Sequence, residues 1–292
     1  MTVRNPTVDV IVVNWNGGAD VVESARSALA FGARVIVVDN ASTDGSPERV
    51  ETAVPGVTVL RMGRNAGFAA ACNRGAADGD GAFIFLLNPD ARIVGGTPAD
   101  VATAFAHPSR PMIVGPRIED DAGRLARSAR RFPTALSLVL YQLKLHHLAR
   151  WIPPLRRYLM MDADFSRPML VDQPMGAAFI MRREDWERFG GMDEAYFLWF
   201  EEVDLAKRVS EAGGNALYWP DIAVRHIGGT SFSRLSARQR QRLWNRSALR
   251  YAERHFSRLG AAGVRVTLPI SSTVNWAADR ARSIRAGVRG AS

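Results

Sequence analysis

Apolar residues form short runs in the N-terminal part of the chain, and each run ends in polar side chains. In AFIFLLNPD, residues 82–90, an apolar stretch long enough for a buried strand is broken by Asn88 and Pro89 and followed at once by Asp90. Three earlier segments share this design: VDVIVVNWNGG with Asn14 and Asn16, ARVIVVDNAS with Asp39 and Asn40, and VTVLRMGRNAG with Asn65. The pattern predicts four buried strands that bring polar groups to one rim of a sheet, where α/β proteins keep their chemistry.

Segments with helical periodicity alternate with these strands. The predicted helices cover residues 20–31, 47–53, 66–77 and 97–107. Ser46 followed by Pro47 is typical of an N-cap and a first helical turn. Regular alternation over residues 7–107 predicts an α/β fold with a mostly parallel sheet flanked by helices, and we expect a boundary near Pro116.

The pattern changes beyond this boundary. Residues 117–132 indicate an irregular or hairpin region, and residues 134–161 indicate a basic, apolar helical stretch ended by Pro153 and Pro154. Farther along we expect a strand at 176–181, a short helix at 183–189 and a longer helix at 201–212.

Three acids cluster in the first turn of that longer helix: Glu201, Glu202 and Asp204. Acids at a helix N-terminus are ordinary, because the helix dipole favours them there. Their setting favours a functional role, since they follow an aromatic run, YFLWF, at 196–200. Apolar surroundings raise the pKa of a carboxylic acid toward the range of a general base.

The net charge of +9 is distributed unevenly. Residues 1–233 contain 25 basic and 27 acidic side chains, whereas residues 234–292 contain thirteen arginines and two acids, Glu253 and Asp279. The balance is therefore −2 in the first part and +11 in the second. Clustered arginine suits either nucleic acid or an anionic bilayer as a partner.

The segment from Ser236 favours the bilayer. Its sequence, SARQRQRLWNRSALRYAERHF, places two sets at helical spacing: apolar Trp244, Ala248, Tyr251, Ala252, Phe256 and Leu259, and basic Arg242, Arg246, Arg250, Arg254 and Arg258. Such a helix can lie on a membrane surface. The alternative is a helix that packs its apolar side on the main domain and exposes its arginines.

Composition narrows the class further. A chain of 292 residues with 47% hydrophobic content can form one sizeable domain plus an appendage. The single cysteine, Cys72, excludes an intramolecular disulfide and a multi-cysteine metal site, and we expect it to be buried on a helix. The sequence has no signal peptide pattern and no apolar run long enough to span a bilayer, so an intracellular chain is expected.

Seven motifs stand in an order that resembles one enzyme family: VDVIVVNWNGG, VVDNASTDGS, RNAGFAAACNRG, FLLNPDA, PMGAAFIMRREDWERFGGMDE, FEEVDLAKRVSEAG and VRHIGG. Over roughly residues 7–232 the chain resembles family-2 glycosyltransferases of GT-A fold, in particular bacterial rhamnosyltransferases that act on polyprenyl-linked sugars. The resemblance implies a GT-A (Rossmann-like) domain with a nucleotide-sugar-binding half at 1–115 and an acceptor-binding, catalytic half at 116–232. A basic amphipathic helical extension would follow at 233–292.

The resemblance implies donor-binding roles for seven residues: Asn14, Asn16, Asp39, Asn65, Gly67, Asn88 and Asp90. Asp39 would accept from the imide N–H of a uracil or thymine, which suits a lone carboxylate. A strand-end turn is the alternative for Asp39, and a helix N-cap is the alternative for Asn65. Asp44 is expected to stabilise the turn before Ser46.

Asp90 matches the last acid of the family's D-x-D metal motif, and Asn88 replaces the first acid. The resemblance implies a divalent cation, Mg or Mn, that bridges Asp90 to the donor diphosphate, with His226 as a second protein ligand. An ordinary hydrogen-bonded strand histidine is the alternative for His226. Oxygen ligands with one imidazole suit either cation.

The family's E-D signature appears as Glu201–Glu202, so a glutamate replaces the catalytic aspartate. We expect Glu202 to act as the base of an inverting single displacement, with Glu201 and Asp204 in support. The resemblance implies acceptor-side roles for Asp172, Gly176 and Ala177. Trp199 and Phe200 either stack on a sugar or pack in the core.

The resemblance further implies dTDP-L-rhamnose as donor and a polyprenyl-diphosphate-linked saccharide as acceptor. Basic helices at 134–161 and 236–289 would reach this lipid at the inner face of the cell membrane, giving a cytoplasmic, peripheral protein.

A non-catalytic carbohydrate-binding or scaffold protein of the same fold is the main rival. A nucleic-acid binder ranks last, because the aromatic residues near Trp199 stand beside acids. The oligomeric state stays open.

Overall fold

The computed structural model describes residues 7–228 and 235–269. The chain forms two compact units. We call the first the sheet unit; it comprises residues 1–132, 163–197 and 201–231. The second, the helical unit, comprises residues 133–162, 198–200 and 232–292.

The strands all belong to the sheet unit: β1 (Val8–Asn14), β2 (Arg34–Asp39), β3 (Thr58–Arg61), β4 (Phe83–Leu87), β5 (Ala91–Gly95), β6 (Ile113–Glu119), β7 (Ala129–Arg130), β8 (Met169–Val171), β9 (Gln173–Pro174), β10 (Ala178–Arg182) and β11 (Ala216–His226). The main sheet has the order β3-β2-β1-β4-β10-β6-β11-β5, with β8 added beside β11. β7 and β9 form a separate two-stranded sheet.

The helices are α1 (Asp20–Ala30), α2 (Ser46–Ala53), α3 (Phe68–Asp78), α4 (Pro98–Phe105), α5 (Ala135–Gln142), α6 (Pro153–Tyr158), α7 (Arg183–Arg188), α8 (Glu201–Glu211) and α9 (Ala237–His255). A 3₁₀ helix covers Leu145–Trp151, and residues 258–269 are also helical. The alternation predicted for residues 7–107 is confirmed, because every predicted helix there is present.

Strands β3, β2, β1 and β4 are parallel, and β10 pairs antiparallel with both β4 and β6. Every residue of β1 and β4 is buried, as expected for strands covered on both faces. The register pairs Asn14 with Asp39 and Val12 with Leu87. The polar residues that follow β1, β2 and β4 therefore meet at one rim, as the sequence predicts.

Several local predictions were wrong. Gly45, in the left-handed region at φ 71°, occupies the N-cap of α2, and Ser46 is the first helical residue. Gly67 occupies the N-cap of α3, so Asn65 does not cap that helix. A 3₁₀ helix does end at Trp151, just before Pro153, but Pro153 also begins α6, which was not predicted; the first helical position needs no N–H.

The other elements agree with the sequence in outline. Backbone hydrogen bonds between residues 118–126 close the predicted hairpin region, and Cys72 is buried on α3. Pro116 lies inside β6, which therefore runs through the expected boundary. The division into donor and acceptor halves at that residue stays a prediction.

In the helical unit, α9 packs its apolar side onto aromatic residues. The ring centroids of Trp244 and Tyr141 lie 6.2 Å apart, and those of Tyr251 and Phe200 lie 5.4 Å apart. Ser236 caps the helix in a capping box with Gln239. Within residues 7–228 and 235–269, no helix is both long and apolar enough to cross a bilayer. The remainder of the predicted extension, 233–234 and 270–292, lies outside the described residues.

Candidate active site

The ends of β1 and β2 form one hydrogen-bonded cluster around Asn14, which is fully buried. Its side-chain amide donates to Asp39 Oδ1 at 2.9 Å, to Ser46 Oγ at 2.9 Å and to Ser42 Oγ at 3.1 Å. Its Oδ1 accepts from Gly17 N at 3.0 Å. Asn14 therefore positions Asp39 and the two adjoining loops.

Asp39 is buried but keeps unused acceptor capacity. Its second oxygen, Oδ2, accepts from Ser42 N at 3.1 Å. Each carboxylate oxygen offers two lone pairs, so one bond to each oxygen leaves room for a further donor. This arrangement suits recognition of a base N–H, the predicted role of Asp39.

The loops after β1 and β2 are tied to one another. Asn16, at φ 54°, accepts from Thr43 N through Oδ1 at 2.7 Å, and its own N–H donates to Ser42 Oγ at 2.8 Å. Asp44 accepts from Ser46 N at 3.0 Å, which confirms its predicted turn role. Asn16 thus holds the loop, and its contact with a donor stays a prediction.

Asn40 has a structural role that was not predicted from the sequence. Its side chain accepts from Ala66 N at 2.8 Å and donates to Gly67 O at 3.0 Å, which fixes the segment that holds the predicted donor-binding residues Asn65 and Gly67. A Cβ on Gly67 would lie 2.7 Å from Phe197 O, so a side chain there would collide with backbone. The signal was present, because Asn40 directly follows Asp39 at a strand end.

Asp90 and His226 are brought together, as predicted. His226 Nε2 lies 3.2 Å from Asp90 Oδ1 and 3.5 Å from Asn88 Nδ2. Ile227 N donates to Asp90 O at 3.1 Å, which fixes the end of β11 beside the end of β4. A Cβ on Gly17 would meet Asn14 Oδ1 at 2.6 Å and Pro89 Cβ at 3.4 Å, so the Asn14 cluster adjoins this pair.

The Asp90–His226 pair can hold a divalent cation only if oxygen atoms of the substrate complete the coordination. Among the described residues, no group of three or more histidine, cysteine, aspartate or glutamate side chains is placed to hold a metal ion. Asp90 and His226 offer one carboxylate and one imidazole. Sites of this kind take their remaining ligands from substrate phosphates and water.

Glu202, the predicted base, lies against Gly176. A Cβ on Gly176 would be 3.0 Å from Glu202 Oε1, so the glycine makes room for the carboxylate. The next residue, Ala177, accepts from Asn88 N through its carbonyl at 3.0 Å. Contacts therefore run without a break from Glu202 through residues 176–177 and Asn88 to the Asp90–His226 pair.

The glutamate pair, Glu201 and Glu202, lies in the sheet unit, where Glu201 is buried and Glu202 is partly buried. Burial raises the pKa of both carboxyl groups, and for Glu201 the neighbouring Glu202 raises it further. Backbone N–H groups and the Arg130 charge partly offset the increase in the pKa of Glu202. In the part of the chain that the structure describes, Oε2 of each glutamate has no hydrogen-bond partner. A buried carboxylate with a raised pKa and a free oxygen suits a general base.

Comparison with known proteins identifies the family of the chain. Residues 9–185 match the family described as glycosyl transferase family 2. The chain belongs to this family. Glu202 and His226 lie beyond the matched residues, so the roles of this transferase's base and second metal ligand stay predictions.

Individual relatives give the comparison more detail. Two Mycobacterium tuberculosis proteins named N-acetylglucosaminyl-diphospho-decaprenol L-rhamnosyltransferase are 30% identical to the chain over 205 residues, 66% of each chain. Part of each relative's length is thus unmatched. A solved mannosyltransferase from Pyrobaculum calidifontis, in complex with GDP-Man and Mn2+, aligns over 97% of this chain and 76% of its own with a TM-score of 0.56 and 18% identity.

A second solved structure supports the same fold. S. aureus TarS residues 1–349 in complex with UDP-GlcNAc aligns over 88% of this chain and 70% of its own, with a TM-score of 0.53 and 15% identity. At these identities the likeness concerns the fold, and the predicted GT-A fold is confirmed.

Two predicted site residues of the transferase lie in ion pairs. Asp204 is fully buried and accepts from Arg208 Nε at 2.9 Å and Tyr196 OH at 3.3 Å, so it fixes α8. Asp172 accepts from Phe132 N at 2.7 Å and from an Arg131 guanidinium nitrogen at 3.1 Å. The i, i+4 spacing of Asp204 and Arg208 was visible in the sequence. Direct contact of either acid with substrate stays a prediction.

Trp199 and Phe200 belong to the helical unit and have unusual backbone conformations. Their φ angles are 66° and 72°, a region that bulky residues rarely adopt. Phe200 is buried and lies 5.7 Å from Trp244 between ring centroids. Of the two alternatives, packing therefore applies to Phe200, and stacking on an acceptor stays a prediction for Trp199.

Proposed function

We propose that the chain is an inverting, metal-dependent transferase that moves L-rhamnose from dTDP-rhamnose to a saccharide held on a polyprenyl diphosphate, in cell-wall or polysaccharide assembly. The name of the M. tuberculosis relatives supports this sugar and this acceptor class. The observation that carries the proposal is the contact path from Glu202 through Gly176, Ala177 and Asn88 to Asp90 and His226.

In this reaction Glu202 takes the proton from an acceptor hydroxyl. The hydroxyl oxygen forms a bond to C1 of the donor sugar as the bond from C1 to the nucleoside diphosphate breaks. The raised pKa of Glu202 improves its basicity toward the hydroxyl. Glutamate is one methylene longer than the family's aspartate, and Gly176 leaves space for it.

Asp39 binds the imide N–H of the donor's pyrimidine, and Asn14 holds Asp39 in place. Asp90 and His226 hold the divalent cation, Mg or Mn, with Asn88 beside them. When bound, such a cation neutralises negative charge on a leaving diphosphate. The protein residues orient the donor and the reacting hydroxyl.

A lipid-linked acceptor lies in a membrane, and the helical unit has surface features that favour binding to a membrane. Large apolar side chains on its exterior include Leu136, Leu148, Trp151, Leu259 and Val266. Five exposed arginines recur every fourth residue along α9: Arg238, Arg242, Arg246, Arg250 and Arg254. Exposed apolar groups beside basic charge favour peripheral attachment to anionic lipid at the inner face of the cell membrane.

Vesicle binding tests this attachment. We expect the protein to bind phosphatidylglycerol vesicles at low salt and to detach at high salt, because screening weakens surface attraction. Phosphatidylcholine vesicles of equal size are the control. Equal binding to both lipids, or none to either, would contradict a membrane role for the arginines.

The sugar assignment is tested by product analysis. The protein is incubated with Mg or Mn, an N-acetylglucosaminyl diphosphate carrying a short polyprenyl chain, and dTDP-rhamnose, UDP-GlcNAc or GDP-mannose in turn. We expect transfer from dTDP-rhamnose alone. Binding of a nucleotide sugar without transfer from any donor would support the non-catalytic alternative, which Asn88 and Glu202 favour as departures from the family motifs.

A further inference from the structure

The short β7–β9 sheet brings an arginine to the glutamate pair. Arg130 pairs with Gln173 in the antiparallel ladder, and Met175 N donates to Ser128 O at 2.8 Å. The chain then reaches Gly176, whose position adjoins the Glu202 carboxylate. Arg130 therefore lies on the strand that pairs with β9, just before the chain reaches Gly176 and the predicted base.

The neighbouring arginine is fixed elsewhere. Arg131 donates to Asp172 at 3.1 Å, and Asp172 also accepts from Phe132 N at 2.7 Å. Gln173 Nε2 donates to Arg131 O at 2.7 Å, which fastens the same end of the ladder. Arg131 lies one residue beyond β7, so Arg130 is the arginine that stands in the β7–β9 ladder itself.

Electrostatics supports the same placement. The positive charge of Arg130 lowers the pKa of Glu202 against the larger effect of burial. Arg130 is half-buried, which suits a cation that meets a substrate rather than bulk water. Glu202 Oε2 has no hydrogen-bond partner among the described residues, so its carboxylate retains an acceptor site next to this cation.

We propose that Arg130 binds the diphosphate of the acceptor, while Glu202 accepts a proton from a hydroxyl of the sugar attached directly to that diphosphate. This inference rests on the proposed function. The guanidinium forms paired, charge-assisted hydrogen bonds to phosphate oxygens and stays charged at every working pH. The donor diphosphate is assigned to Asp90 and His226, whereas Arg130 lies on β7, whose partner strand β9 leads to Gly176 beside Glu202.

The proposal makes Arg130 a determinant of acceptor specificity. A sugar joined to its lipid through diphosphate can engage the base and the cation together. The same sugar on an uncharged alkyl chain can engage the base alone. Steady-state kinetics with these two acceptors therefore separates binding of the diphosphate from the proton transfer.

The experiment compares wild type, Arg130→Ala, Arg130→Lys and Arg127→Ala in the full chain. Arg127 is an exposed arginine near the same hairpin and serves as the matched control. With the diphosphate acceptor we expect Arg130→Ala to raise the acceptor KM about tenfold to a hundredfold, as for loss of a charge-assisted hydrogen bond. The donor KM and kcat at high pH should be unchanged, and Arg130→Lys should be intermediate.

Two further readouts exclude a merely structural role. With the uncharged acceptor, wild type and Arg130→Ala should have the same KM. The acid limb of the kcat profile should move to higher pH in Arg130→Ala, because the variant lacks a positive charge that lowers the pKa of Glu202. If Arg130→Ala fails to fold, Arg130→Lys carries the same comparison with smaller shifts.

The outcomes distinguish this proposal from the proposed function. A higher donor KM with unchanged acceptor KM would assign Arg130 to the donor and overturn the inference. Equal loss with both acceptors would also overturn it. Wild type that transfers rhamnose equally well to both acceptors would contradict the inference and leave the proposed function intact. Absence of transfer by wild type would contradict both.

Discussion

Asn14 at the end of β1 and Glu201 at the start of α8 are buried, and Glu202 is partly buried. The side chains of Asn14 and of the two glutamates differ, however, in whether all their polar atoms have hydrogen-bond partners. Both side-chain polar atoms of Asn14 have protein partners. Each glutamate keeps one oxygen that has none among the described residues. A buried amide whose polar atoms all have hydrogen-bond partners stabilises one geometry. A buried carboxyl oxygen without a partner raises the free energy of the ionised form of its own side chain. The first arrangement suits holding a ligand, and the second suits moving a proton.

Removing the Asn14 amide should produce the largest loss of stability. In Asn14→Ala, Asp39 and two serine hydroxyls lose a buried partner, and we expect the free energy of unfolding to fall by about 2–4 kcal/mol. Affinity for a nucleotide should fall as well. Urea unfolding and calorimetric titration with dTDP measure both effects.

Asn16→Ala provides the control for that comparison. Asn16 is partly exposed, and its side chain accepts from Thr43 N at the loop surface. We expect its unfolding free energy to change by less than half of the Asn14 effect. Equal losses of unfolding free energy in the two variants would show that the buried hydrogen bonds of Asn14 stabilise the fold no more than those of Asn16.

Crowding the glutamate pair should reduce activity more than stability. The new Cβ of Gly176→Ala would press on Glu202 Oε1 from 3.0 Å. We expect kcat to fall by up to about a hundredfold, the effect of a misplacement near 1 Å. Gly263→Ala, where no atom lies within 4 Å of the new Cβ, should leave kcat unchanged. A Gly176→Ala enzyme with full kcat would show that Glu202 tolerates displacement.

Neutralising one glutamate should produce the smallest and most selective effect. Burial raises the pKa of Glu201 in the folded state. The folded state therefore binds this proton more tightly than the unfolded state, and the resulting stability is lost as pH rises through the folded pKa. Glu201→Gln cannot ionise, so its stability relative to wild type should increase with pH.

Urea unfolding from mildly acidic to mildly basic pH checks this behaviour. The variant should have a flatter dependence of unfolding free energy on pH than wild type. Parallel curves for the two proteins would mean that Glu201 is not protonated preferentially in the folded state. Glu211→Gln, on the exposed end of α8, should follow the wild-type curve.

The sequence predicted the rim of strand ends well, because the pattern that marks each strand end is local. Apolar runs ending at Asn14, Asp39 and Asp90 identify strand ends, and parallel strands place such ends at one rim. The N-cap of α2 was wrongly assigned to Ser46. Gly45 occupies that position, and the Ser46 hydroxyl accepts a hydrogen bond from the Asn14 amide. That hydrogen bond joins residues 32 positions apart, which no local pattern encodes.

The surroundings of Glu202 were predicted less fully, because they depend on contacts between residues far apart in the sequence. The bond between Asp172 and Arg131 spans 41 residues, and β10 enters the sheet antiparallel between β4 and β6. The pairing of β7 with β9 places Arg130 close to the segment that reaches Gly176 beside Glu202. Family resemblance selected Glu202, but its burial and the missing partner of its Oε2 required coordinates.

Single-turnover transfer by Glu202→Gln is the decisive measurement of whether Glu202 takes the acceptor's proton. Glu211→Gln is the matched control at the other end of the same helix. We expect a rate lower by about 10²–10⁴-fold for Glu202→Gln, with unchanged donor affinity and folding, and a wild-type rate for the control. Transfer by Glu202→Gln at the wild-type rate would show that Glu202 is not the base.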